Sequence, residues 1–263
     1  MRRYAELLAI QVKAAVLLGL QYRLDFCLQV LMALFWSATA LVPLYVLFSM
    51  RDGVAGWSAH EMLIVVGFFT MLKGVLSSVI QPSLAQAVEH IRKGTLDFVL
   101  LKPADTQFLL STGKLELAHL VDVIVGAGIV GFALAGLPDL RLTVSALALS
   151  LVFLSCGLAI LYALWIMVIS LAFRVVKVDN LSYLFVSLFE AARWPANVFR
   201  GALSILFTFV IPLALMTTYP ALALLGRASS QHLITALAVA ALLSIAARFA
   251  WVRALRAYTG ASS

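Results

Sequence analysis

Residues 143–173 read TVSALALSLVFLSCGLAILYALWIMVISLAF, a run without Asp, Glu, Lys, Arg or His. An α-helix needs about 20 mostly apolar residues to cross the hydrocarbon of a bilayer, so this stretch is long enough to span. The composition agrees with it. Of the 263 residues, 63% are hydrophobic and only 12% charged, against about 25% charged in an ordinary globular chain. Mean hydropathy is +1.05. The 15 Gly, 7 Pro and 2 Cys are too few for a collagen-like, disordered or disulfide-stapled class. This is the composition of an all-α polytopic membrane protein.

Further spans are expected at about Leu24–Met50 with a kink at Pro43, at Met62–Ile80, at Leu117–Leu137 and at His232–Ala250. Residues 1–23 start basic, but no apolar core with a small-residue cleavage site follows, so they do not read as a cleavable signal. At helical spacing Arg3, Glu6, Ile10 and Lys13 share one stripe, and Tyr4, Leu7, Leu8, Ala15, Leu18 and Tyr22 lie around the other side. That predicts an amphipathic helix on the membrane surface, with a mere extension of the first span as the competing reading. The whole of 1–263 then forms one transmembrane domain. Cys27 and Cys156 lie in apolar runs and are expected to be free buried thiols.

Basic residues set the orientation. With the N-terminus cytoplasmic, the inner segments carry Arg2, Arg3, Lys13, Arg23, Arg92, Lys93, Lys102, Lys114, Arg174, Lys177, Arg248, Arg253 and Arg256. The outer ones carry Arg51, Arg141, Arg193, Arg200 and Arg227. The net charge of +7 is therefore read as loops facing anionic lipid rather than as a nucleic-acid surface. The stretch after Lys177 is ambiguous. Leu181–Phe199 holds Glu190, Arg193 and Pro195, and Ala202–Leu225 is broken by Pro212 and Pro220. If both crossed, the basic C-terminus would lie outside, so six crossings are expected. Either Leu181–Phe199 crosses and residues 200–226 form a re-entrant hairpin, or the first stays at the cytoplasmic surface and the second crosses. Charge slightly favours the latter.

The long segment between the second and third spans, Gln81–Glu116, carries the most information. Pro82-Ser83 precede a helical stretch, Leu84–Arg92, whose charges cluster at Glu89, His90, Arg92 and Lys93. Gly94 suits a helix C-cap with basic residues in the turn before it. Thr95-Leu96-Asp97-Phe98-Val99-Leu100-Leu101-Lys102-Pro103 follows. A short capped helix, an apolar turn and a Lys-Pro stop look like a docking knob for another protein; an ordinary cytoplasmic loop is the rival reading.

Other patterns carry less. Gly126-Ala127-Gly128-Ile129-Val130-Gly131 satisfies G-x-G-x-x-G but lies inside an apolar span, where close helix packing explains it better than a dinucleotide. No G-x-x-x-x-G-K-[ST] occurs, and Asn180-Leu181-Ser182 falls on the cytoplasmic side. Ionisable residues within apolar runs are costly and mark functional candidates. Asp25 and Asp122 lie near span ends, where solvation is expected. Lys73 sits deeper, as a cation on a substrate path or the partner of an acid such as Glu190, while Glu190 and Arg193 can pair at i, i+3. No carboxylate pair, Ser/His/Asp set or metal-type cluster recurs, so nothing points to catalysis.

Several pieces together resemble the permease subunit of type-2 ABC exporters, in the branch of bacterial permeases of about this chain's length. They are Ile91-Arg92-Lys93-Gly94-Thr95-Leu96-Asp97-Phe98-Val99-Leu100-Leu101-Lys102-Pro103, Ala192-Arg193-Trp194-Pro195, Phe207-Thr208-Phe209-Val210-Ile211-Pro212, Tyr219-Pro220-Ala221 and the tail from Trp251. The resemblance implies an amphipathic N-terminal helix, six spans, both ends cytoplasmic in a bacterial inner membrane, and re-entrant helices before the last span. It thus favours a crossing at Leu181–Phe199, with Arg193 and Pro195 at its outer end. It also implies a coupling helix at about Leu84–Leu101, within a cytoplasmic coupling loop at 82–116, and pairing with a second copy or a sister permease.

The expected function is non-catalytic export. ATP and Mg would bind a separate ABC ATPase subunit, leaving this chain without a cofactor of its own. Closure of that partner would push on Glu89, His90, Arg92, Lys93, Gly94, Leu96 and Asp97 and rock the spans between two arrangements. Lys73, Glu190 and Arg193 are candidates for the translocation path. An ATP-independent secondary carrier is the alternative; it should show repeated halves and mid-membrane ion ligands, and no repeat is evident. A membrane-embedded enzyme ranks third.

Overall fold

The computed structural model describes residues 2–51, 53–138, 140–173, 179–199, 201, 203, 206–207 and 211–258. The basic stretch 174–178, Arg200, much of the first limb of the expected hairpin and the tail from 259 lie outside the described residues. The long helices are α1 (Arg2–Gln21), α2 (Arg23–Met50), α3 (Ala59–Val75) and α4 (Gln81–Arg92). Two short helices, α5 (Leu96–Leu100) and α6 (Thr106–Ser111), precede α7 (Leu120–Ala135) and α8 (Val144–Ser170). Then come α9 (Asp179–Phe189), α10 (Tyr219–Leu224) and α11 (Ser230–Arg256). No strand occurs among the described residues beyond an isolated bridge between Val54 and Trp57.

Among the described residues, six helices are long and apolar enough to cross a membrane. The number agrees with the expectation, but the membership differs. Arg3–Gln21 reaches the length and hydropathy of a span, while α9 with the 3-10 turn Glu190–Arg193 falls short of it. Both ends of α1 meet the same end of the bundle. Tyr4 packs edge-on against Phe108, with ring centroids 4.8 Å apart, and its hydroxyl accepts the Asp105 N–H at 3.3 Å. Farther along, Ala15, Leu18 and Gly19 line a hollow with Leu115, Glu116 and Leu117.

The expected second span and the docking helix are one continuous helix of 34 residues, Ala59–Arg92. At 1.5 Å per residue it is about 50 Å long, well beyond the ~30 Å of hydrocarbon. The two parts join through a π-helical turn at Leu76–Ile80. Proline explains it. Pro82 has no N–H to give the Ser78 carbonyl, and its ring crowds that carbonyl in a regular helix. The wider turn relieves the crowding, and the Glu116 N–H donates to the Ser78 carbonyl at 2.8 Å. Buried Ser83 secures the same strand of chain, donating to the Lys114 carbonyl at 2.5 Å. A second π turn, Ala214–Thr218, stands in the same relation to Pro220.

Glycines set the closest helix contact. A Cβ on Gly67 would lie 2.8 Å from the Gly126 carbonyl oxygen, and one on Gly126 would lie 2.6 Å from that of Gly67. So α3 and α7 touch backbone to backbone, and Gly126 of the G-x-G-x-x-G run serves packing as expected. Gly128 and Gly131 face open space within this chain. The turn and helix Ala214–Leu224, too short to cross, are buried at Leu215, Met216, Ala221 and Leu224, with Met216 against Gly157 of α8. Cys156 is buried; Cys27, expected to be buried, is exposed.

Candidate functional site

The expected docking knob is built by its caps. Helix α4 stops because Gly94 adopts φ +67°, a left-handed conformation that only glycine takes without steric cost. The Thr95 N–H reaches the His90 carbonyl at 3.0 Å and the Gly94 N–H reaches that of Ile91 at 3.3 Å, the paired bonds of a Schellman ending. His90 Nδ1 and Thr95 Oγ1 share a further hydrogen bond of 2.8 Å across the turn. Glu89 lies 2.9 Å from Lys93 and 3.8 Å from Arg92. The hydrogen bond and charge of Lys93 hold the Glu89 carboxyl below its usual range.

Of the seven expected coupling residues, Leu96 is fully buried and anchors the turn from beneath. Val99 is buried beside it, whereas Phe98 and Leu101 are 69% and 81% exposed. Helix α5 therefore points one apolar pair in and another out. That outward pair was missed in the sequence, although i, i+3 spacing in a charged loop is its signature.

The turn is tied to the rest of the bundle by polar contacts that the sequence did not announce. Asp105 caps α6 by accepting the Phe108 N–H at 3.1 Å, and Arg248 of α11 donates to it at 2.7 Å. This hydrogen bond from Arg248 holds the Asp105 carboxyl below its usual range. Arg248 also donates to Gln107 Oε1 at 2.7 Å. The Tyr162 hydroxyl of α8 accepts from Gln107 Nε2 at 3.0 Å and shares a 2.7 Å bond with Ser111. Short helix α6 thus touches α1, α8 and α11.

The three path candidates come together. Lys73 Nζ lies 3.3 Å from Glu190 Oε1, and Glu190 also pairs with Arg193. Arg193 stands over the Phe69 ring, 5.7 Å from its centroid. Each of the three charged side chains keeps about 30% or less of its surface exposed. Asp122 departs from expectation: it is 3% exposed rather than solvated at a helix end, and it accepts a 2.8 Å hydrogen bond from Ser37 of α2. Near the other end, Arg227 lies 2.5 Å from Glu61, whose carboxylate also completes the capping box with Ser58. Among the described residues no group of three His, Cys, Asp or Glu could hold a metal.

Comparison with known proteins places the chain. A model of the family described as ABC-2 family transporter protein matches residues 34–262. No curated protein and no solved structure matches the chain.

Proposed function

Because this chain belongs to the ABC-2 family of transporter permeases, a family whose members work with an ABC ATPase subunit, we propose that it is the membrane half of an exporter driven by that subunit. The Schellman-capped turn at the end of the 34-residue helix carries this reading, since it presents Phe98 and Leu101 away from the bundle. Two exposed apolar side chains beside the Glu89, Arg92 and Lys93 charges make a hot spot with a polar rim. ATP and Mg bind the partner; closure of its subunits pushes on residues 89–101. The force reaches the spans through α4 and α6, and substrate passes as they alternate between two arrangements. A second permease, identical or a sister chain, completes the path.

The same reading puts the turn, and with it both termini, on the cytoplasmic side of a bacterial inner membrane. Helix α1 then lies along the cytoplasmic face, which its contacts with Asp105, Phe108 and Leu117 support. The described part of the expected hairpin, 211–226, then stays on the outer side, and the burial of Ala214–Leu224 supports a covered, non-crossing path.

The test is retention of the motor. Tagged protein purified from its own membranes should carry a stoichiometric ATPase subunit. Phe98→Asp with Leu101→Asp, costing about 2 kcal/mol, should weaken that retention about thirtyfold. Retention unaffected by the double substitution would overturn the assignment.

A further inference from the structure

Between α4, the end of α8 and α9 lies a cavity of about 260 Å³, of whose lining the transport reading uses only Glu89 and Arg92. Leu84, Val88 and Arg92 line one wall at i, i+4 and i+8, so they form a single stripe about 12 Å long on α4. Gln81 stands beside Leu84 at one end, and the other carries the Glu89–Arg92 pair. The opposite wall holds Trp165 and Tyr183, the two aromatic types that favour the boundary between headgroups and hydrocarbon. Tyr183 and its neighbour Leu184 are exposed, so the opening faces the surroundings of the bundle, which for a membrane-embedded chain are lipid tails.

The Trp165 side chain adds the deciding observation. It is 2% exposed, and its Nε1–H finds no acceptor among the described residues. Leaving a buried donor unmet is expensive, whereas an acceptor supplied from the cavity restores the bond. A ligand suited to this space has an apolar chain for Leu84 and Val88, an oxygen acceptor for the indole, and an anionic group for Arg92. We propose that the cavity binds one acyl chain of a glycerophospholipid from the adjoining leaflet. Its ester carbonyl accepts the Trp165 N–H and its phosphate lies at Arg92, a partner that guanidinium groups favour. Because α4 carries the docking turn, the lipid would wedge between that helix and α9.

Native mass spectrometry of delipidated protein titrated with phosphatidylglycerol tests this. The wild type should retain one lipid per chain under activation that strips the rest. Trp165→Phe keeps an aromatic ring, though a smaller one, and removes the donor, and should weaken retention about tenfold. Ala85→Trp, at an exposed position that lines the cavity, should fill the space and abolish it. Dodecyl maltoside, with an alkyl chain but neither ester nor phosphate, should not displace the lipid. Equal retention in all three proteins, or displacement by the detergent at equal concentration, overturns the proposal.

Discussion

Glu190 stands between two cations, and that position decides what each charge contributes. Breaking a buried pair by removing one partner costs about 3–5 kcal/mol, because the other charge is left uncompensated. Partial exposure of this cluster reduces the figure to about 2 kcal/mol. Glu190→Gln removes the carboxylate in contact with both cations, leaving Lys73 only the Asp122 charge, whereas Lys73→Met leaves Glu190 paired with Arg193. Thermal unfolding in nanodiscs should therefore show a larger loss for Glu190→Gln than for Lys73→Met. The double variant should recover part of that loss, and a double no better than Glu190→Gln alone would refute the pairing. This partnership was legible in the sequence because a lysine deep in an apolar run must find an acid. Asp122 was not, because its place near a helix end says nothing of whether Ser37 on another helix covers that end.

Between elements, the distances at Gly67 and Gly126 separate two kinds of glycine in one motif. Gly126→Ala drives a methyl group against the Gly67 carbonyl, a backbone atom that cannot swing aside, and overpacking of this kind costs about 1–3 kcal/mol. Gly128→Ala meets nothing within 4 Å, so the two single variants should differ in melting temperature, with only the first lowered. Equal melting would refute the backbone contact between α3 and α7. Element positions were readable wherever one apolar run met one helix. The merger of the second span with the expected docking helix was not, because Pro82 reads as a helix start and the turn that absorbs it depends on a hydrogen bond from the Glu116 N–H, remote in sequence. The stretch at 181–199 was ambiguous for a physical reason that persists in the fold: Glu190 and Arg193 turn inward to Lys73, and the helix yields to a 3-10 turn there.

At the scale of the molecule, α6 is where four helical elements meet through Tyr4, Tyr162 and Arg248. Asp105→Asn keeps the cap on Phe108, since Asn caps as well as Asp, and removes only the charge facing Arg248. The Asp105 carboxyl titrates below its unfolded value of about 3.9. Its contribution is thus fully present above that value and disappears as pH falls through the lower folded one. Being partly exposed, the pair should contribute no more than about 1 kcal/mol. The stability gap between wild type and variant should be open at pH 7 and narrow as pH falls below about 3.9; a gap that stays constant in acid would place the effect elsewhere. Six spans by count, the charged turn and the family were all accessible from sequence. The crossbar through α6 was not, because its members are separated by up to 143 positions.

The bond from Glu116 to the bare Ser78 carbonyl has a mechanical consequence. A widened turn in a long helix is ordinarily where the rod bends, but this one is riveted to Glu116, at the head of the 3-10 turn that leads into α7. On the proposed reading, a push on the turn would not be spent in flexing the shaft alone: α7 would move with it and, through the glycine seam, α3 as well. Pinned at Ser78 and again where Gly67 meets Gly126, α3 and α7 form one stiff pair of rods.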